Sequence, residues 1–239
     1  MSPGSTYTAI LPYALGVDTY APGYAWGNTK LMTRAEFDDF AAYLRRRSVS
    51  LGEPGTEGEL ALTEVSGVRT QGDQADTDPT NAWSHFEITV TGVNGTDLYA
   101  IGDSVTGNVG DVVTVTVGFG NNGPASLDYT RTGAVVTKID VNVPTGTTAV
   151  SVPNSCLPRD GDRIDGQNPG KPGMPSYRCY PGSFSQVGKQ HVVELGLRID
   201  SVIPNAAGKV TINARCGCEG FVNDLDPSND MVQLLVNAS

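Results

Sequence analysis

Between residues 84 and 239 the apolar side chains of this chain recur at every second position, run after run, and that period constrains the fold more than any other feature. In "GDVVTVTVGFGNNGPAS" (residues 110–126), Val113, Val115, Val117 and Phe119 share one parity; Val112, Thr114, Thr116 and Gly118 share the other. Successive side chains of an extended strand point to opposite faces, so the run reads as a strand with one apolar and one mostly weakly polar face. Asn121-Asn122-Gly123-Pro124 predicts its end, since these residues tolerate positive φ or lack the N–H that a ladder needs. The same alternation carries Phe86, Ile88 and Val90; Val135 to Val143; His191 to Ile199; Val210 to Cys218; and Val232 to Val236. Charged residues such as Asp140, Glu194, Arg198 and Lys209 occupy the opposite parity, the pattern of antiparallel sheets packed on one side only. Several such runs separated by turns predict a mainly β protein, an antiparallel β-sandwich.

Composition agrees. Only 18% of the 239 residues are charged, and 29 glycines and 15 prolines supply turns between short strands. A net charge of −10 argues against nucleic acid as a partner, which needs a basic face for phosphate. No window is long and apolar enough for a membrane span. The opening "MSPGSTYTAI" has no basic stretch followed by an apolar one, so no signal peptide is expected there. Four cysteines in a β-rich acidic chain nonetheless favour export, to the cell surface or beyond.

One short helix is predicted at about 33–47, within "MTRAEFDDFAAYLRRR". Thr33 is its N-cap, Glu36 completes a capping box, and Met32 with Phe37 is placed for a hydrophobic staple. Phe37, Phe40, Ala41 and Leu44 fall on one face, and Arg45–Arg47 suit the negative end of the helix dipole. The chain also repeats itself. "DTDPTNAWSHFEITV" (76–90) parallels "DLDPSNDMVQLLV" (224–236), and "PGTEGELAL" from Pro54 parallels "PNAAGKVTI" from Pro204. A return of turn, strand, acidic turn and strand in fixed order indicates two copies of one unit. Residues 1–92 are expected to form an atypical or partial copy with an aromatic-rich start and the helix, and residues 93–239 a complete one.

The ordered elements of the second copy resemble the bacterial surface-repeat family labelled domain of unknown function eleven. "GDVVTVTV…NNGPAS" is similar to its opening strand, and "VVTKIDVNVPTGTTAVSVPNSC" to its second strand, Pro-x-Gly turn and first cysteine. "YRCYPGSFSQVGKQHVVELGLRID" resembles the second cysteine and long strand, and "GKVTINARC" with "DLDPSND" the penultimate strand and acidic turn. The resemblance covers roughly 103–239, and 53–92 more faintly. It implies an immunoglobulin-like fold, occurrence in exported wall and surface proteins as spacer or adhesive modules, and no catalysis. It also implies a Cys156–Cys179 disulfide, the alternative being two buried free thiols; such a bridge would stabilise by about 3 kcal/mol. The chain departs from the family where Gly118-Phe119-Gly120 interrupts the opening strand, in a long loop between the cysteines, in Cys-Gly-Cys at 216–218, and in the first copy.

Candidate sites are few. Cys216 and Cys218 on one strand would face the same way about 7 Å apart, too far for an easy bridge unless Gly217 lets the backbone buckle. A buried pair or local disulfide is therefore expected ahead of a metal site. Asp160, Asp162 and Asp165, and Asp224, Asp226 and Asp230, cluster carboxylates as a calcium site would. Neither stretch has the glycine and glutamate of an EF-hand loop, so the carboxylates are expected to shape turns, with calcium the alternative and no other cofactor. Two histidines, no Gly-x-Ser-x-Gly and no His-Glu-x-x-His leave no catalytic constellation. His191, on the apolar parity, is expected to be a hydrogen-bonded core histidine. Tyr13, Tyr20, Tyr24 and Trp26 crowd the N-terminal segment and serve either as an interaction patch or as core beside Phe37 and Phe40. The expectation is a non-enzymatic surface module whose partners are other protein subunits or surface components. A filament or shell subunit assembling into homo-oligomers by strand addition, or a carbohydrate-binding accessory domain, are the alternatives.

Overall fold

A computed structural model describes residues 6–51, 60–66, 82–201, 203, 206–213, 221 and 223–238. The Cys216–Cys218 pair, the first acidic turn at 76–79 and the "PGTEGELAL" segment up to residue 59 lie outside them. The chain divides into two compact units, residues 1–15 with 24–89, and residues 16–23 with 90–239. Residues 16–23 thus belong with the second unit.

The first unit contains strand pairs and the helix. β1 (Thr6–Thr8) pairs antiparallel with β3 (Thr63–Ser66), and β2 (Gly23–Lys30) lies beside β4 (Trp83–Val90). Helix α1 (Arg34–Arg46) begins where the sequence places it: Thr33 Oγ1 accepts from the Glu36 N–H at 3.3 Å, and Glu36 Oε2 accepts from the Thr33 N–H at 2.7 Å. That bond to the Thr33 backbone holds the Glu36 carboxyl below its ordinary range. Late in the helix the Arg47 guanidinium sits 4.9 Å from the centre of the Tyr43 ring. Of the expected apolar face only Ala41 is buried; Leu44 is half-buried, and Phe37 and Phe40 stay more than a third exposed.

The second unit is a β-sandwich. Its strands are β5 (Thr96–Ile101), β6 (Ser104–Gly107), β7 (Val112–Pro124), β8 (Leu127–Asp128), β9 (Ile139–Asn142) and β10 (Thr147–Ser151). They continue as β11 (Cys156–Asp160), β12 (Arg163–Ile164), β13 (Ser176–Cys179), β14 (Phe184–Ser185), β15 (Gln190–Ile199), β16 (Ala207–Thr211) and β17 (Met231–Ala238). One sheet has the order β10-β15-β7-β5 and the other β12-β11-β13-β9-β16-β17-β6. With β5, β7, β15 and β10 as A, B, E and D, and β9, β16 and β17 as C, F and G, this is the immunoglobulin arrangement of sheets. β6 leaves the first sheet after β5 and lies parallel to β17, an edge pairing inside otherwise antiparallel sheets. Gly102 makes that crossing possible: a Cβ there would stand 2.5 Å from the Gln233 carbonyl oxygen.

The core follows the sequence parity. Val115, Val117 and Phe119 of β7 and Leu195 and Leu197 of β15 are buried, as are Ile139 and Val141 of β9, Val210 of β16 and Leu234 of β17. Two expectations along β7 need correcting. Gly118-Phe119-Gly120 does not interrupt it, and Asn121-Asn122-Gly123-Pro124 does not end it; the strand runs to Pro124 and pairs with β5 across a bulge at Asp97/Leu98. The cause is buried Asn121. Its Nδ2 donates to the carbonyls of Ala125 (2.9 Å) and Ser185 (3.2 Å), while its Oδ1 accepts from the Gly123 N–H and faces Thr96 Oγ1, both at 2.7 Å. The amide side chain supplies the bonds that an interrupted ladder would lose.

Candidate interaction site

The aromatic segment is distributed over two places. Tyr20 lies in the second unit, where its ring meets Phe221 edge-on at 5.4 Å and its hydroxyl bonds Asn223 Nδ2. Tyr13 packs edge-on against Phe86 at 5.6 Å within the first unit. Tyr24 and Trp26 are different: on β2 they project into water, 61% and 40% exposed, with ring centres 5.9 Å apart. The parity of β2 is the reverse of what a core would demand, because the small residues Gly23, Ala25 and Gly27 occupy its covered side. Gly27 fixes this. A Cβ at Gly27 would fall 2.1 Å from the Phe86 ring, so that ring lies directly over the glycine.

The same contact sets the pairing with β4. With Gly27 beneath Phe86 and the Leu31 N–H donating to the Ala82 carbonyl at 2.8 Å, numbers rise on one strand as they fall on the other. Odd positions of β2 share a face with Phe86 and Ile88; even positions share the outer face with Trp83, His85 and Glu87. Trp83 is 56% exposed, and its ring centre lies 6.3 Å from that of His85. These two rings join Tyr24 and Trp26 on one wet surface. They were missed as site residues in the sequence, although the parity of "WSHFEITV" already set Trp83 and His85 opposite Phe86 and Ile88.

Cys156 and Cys179 stand opposite one another in the β11–β13 register and form a disulfide with a sequence separation of 23. The loop between them is more ordered than its composition predicts. Buried Tyr177 donates its hydroxyl to the Lys171 carbonyl at 2.9 Å and accepts from the Met174 N–H at 3.1 Å, tying the loop down. Asp160 and Asp162 are exposed; Asp165 accepts from Asn168 Nδ2 at 2.8 Å, the main cause of its lowered pKa. Beside them an open cleft of about 460 Å³ is lined by Pro158, Arg159, Arg163, Gln167 and Met174. Asp140, placed by parity in solvent, is instead buried. Arg178 Nε and Nη2 grip its two oxygens at 2.7 and 2.9 Å, and Arg159 adds a further ion pair.

The second acidic turn bends back onto β5. Asp224 Oδ2 accepts from the Leu98 N–H (3.3 Å) and from Asn213 Nδ2 (2.9 Å), and the same amide reaches Asp230 Oδ1 at 3.2 Å. Asn229 and Asn122 donate to the two oxygens of Asp97 at 2.8 and 2.7 Å. Asp226 caps the short turn after it through the Ser228 N–H. Burial, then the nearby charge of Asp224, raises Asp230 to about 7; burial also raises Asp224. Among the described residues, no group of three or more His, Cys, Asp or Glu is arranged to hold a metal ion. His191 is not the hydrogen-bonded histidine expected. Its ring stacks on Phe119 at 4.9 Å, its Nε2 is buried without a partner, and burial lowers its pKa, which keeps it neutral.

No protein-family model and no curated protein matches the sequence. Among solved structures, a chain from the crystal structure of the CaDoc0917–CaCohA2 complex at pH 5.5 is 20% identical, covering 60% of this chain and 94% of that one, with a TM-score of 0.28. A likeness of that size carries no argument about role.

Proposed function

We propose that this chain is a non-enzymatic module of an exported surface protein, serving as a spacer and interaction domain of the kind its motifs resemble. The observation that supports this most is the Cys156–Cys179 bridge, set within a sandwich of immunoglobulin strand order. A cystine of this kind persists in oxidising compartments and is reduced in the cytosol, and a folded sandwich holds its two ends apart without needing a reactive centre. No helix among the described residues is long and apolar enough to cross a membrane. The test is thiol trapping in the native cells combined with protease shaving of intact ones. The chain is expected in the exterior fraction, with both thiols protected from alkylation until a reductant is added. Recovery inside the cell with both thiols alkylated overturns the reading.

A further inference from the structure

We propose that the outer face of the β2–β4 ribbon binds a single extended, uncharged polysaccharide chain of β-1,4-linked pyranose units. This names a ligand for the external interaction module proposed above, and rests on that reading. The face is built by parity. Tyr24, Trp26, Asn28 and Lys30 come from β2, and Trp83, His85, Glu87 and Thr89 from β4. All eight are exposed, and none of them is aliphatic; Ala25 and Ile88 sit on the other side.

Rings interleaved with amide, carboxylate and hydroxyl groups suit a pyranose, whose C–H face lies against an aromatic ring while its equatorial hydroxyls seek hydrogen bonds at the rim. The charges fit as well. On a chain of net charge −10, this face holds one lysine and one glutamate and so balances, matching an uncharged ligand. From Tyr24 to Lys30 the strand spans about 20 Å, longer than one sugar ring, so the ligand is a chain. The Tyr24 and Trp26 planes are inclined by 44° and those of Trp83 and His85 by 37°, a twisted platform that fits one free chain better than a flat crystalline surface. The outward aromatics are no packing accident, because Phe86 over Gly27 forbids the register that would turn them inward.

The chain holds two tryptophans, Trp26 and Trp83, and both lie on this face, so intrinsic fluorescence of the whole protein reports on it directly. The experiment titrates the full chain with cellohexaose, chitohexaose and xylohexaose, and runs it in native gels containing hydroxyethylcellulose or xylan. At least one oligosaccharide is expected to change tryptophan emission saturably, with matching retardation in the gel. Trp26→Ala and Trp83→Ala should each weaken binding on the order of tenfold. Trp26→Phe and Trp83→Phe should retain most of it, which separates a lost ring from a damaged fold. Tyr13→Phe, on the covered side, should leave affinity unchanged. Silence with all three oligosaccharides and both gels overturns the proposal. So does binding that survives loss of both indoles, or binding abolished by high salt, the mark of a charged ligand. None of these outcomes touches the exterior location, which the thiol trapping decides separately.

Discussion

Asp230→Asn isolates an unusual carboxylate. The charged groups acting on Asp230 are Asp224, Asp97 and Asp226, all of its own sign, while Asn213 donates to it and to Asp224 from one amide. Burial and this repulsion raise its pKa from 3.8 to about 7, so the folded protein holds a proton that the unfolded chain releases. The sign follows. A raised native pKa gives stability that is complete below 3.8 and is lost as pH climbs towards 7, where the folded group too must ionise. At about 1.4 kcal/mol per pH unit the unscreened loss would reach ~4 kcal/mol. Because the group is half-exposed, solvent screening reduces this to about 2 kcal/mol, or roughly 4–8 °C in Tm for a domain of this size.

Asparagine mimics the protonated acid, keeping an acceptor for Asn213 and a donor for its neighbour. Thermal melts of parent and variant should lie closest at about pH 4, diverge as pH rises from there to about 7, and keep a constant separation above it, with the variant the more stable. The comparison is made as a difference because His191 works the other way: its lowered pKa gives stability that is present above 6.5 and lost as pH falls below it, and this cancels between the two proteins. A difference in Tm that stays flat across this range, or a parent that gains on the variant as pH rises, refutes the reasoning.

Reducing the Cys156–Cys179 bridge should cost about 3 kcal/mol, read as a lower urea midpoint with dithiothreitol present. Asp140→Ala should cost about 3–5 kcal/mol in the same assay, because it leaves buried Arg178 and its neighbour Arg159 without their counter-ion. Asn121→Ala should cost about 3 kcal/mol by leaving the Gly123 N–H and the Ser185 carbonyl facing a void, while the Thr96 hydroxyl and the Ala125 carbonyl keep their bond to each other, with amide exchange accelerated at Gly123.

Where burial follows from period two alone, the sequence is a sufficient guide. Val115, Val117 and Phe119, or Leu195 and Leu197, need no knowledge of a partner strand to point inward, and Thr33 with Glu36 caps its helix through purely local bonds. Side chains whose environment comes from a distant strand are another matter. Asp140 reads as solvent-facing because the arginine that buries it arrives 38 residues later, in a loop whose composition predicts no strands. Asn121 reads as a stop because Asn, Gly and Pro usually break ladders, and its four compensating bonds come from residues 96, 123, 125 and 185. β5 escapes notice for a related reason: "TDLYAI" is short, and its buried positions begin with Thr96, a polar residue whose burial depends on Asn121.

The candidate site turns on this same distinction. Counting aromatics groups Tyr13, Tyr20, Tyr24 and Trp26 by proximity along the chain, yet a strand separates neighbours onto opposite faces and a unit boundary separates Tyr20 from the rest. Only the seating of Phe86 on Gly27 decides which parity of β2 faces water, and with it which parity of β4. Once that is fixed, Trp83 and His85, 50 and more residues further on, fall on the same face as Tyr24 and Trp26 without any further assumption. A Gly27→Ala variant therefore tests the geometry itself. Its methyl group has no room beneath the ring, so Phe86 must lift or the ribbon must separate, and either event loosens β2 against β4. Amide exchange along both strands that matches the parent would mean that the two strands do not pair as described, and the aromatic face would lose its foundation.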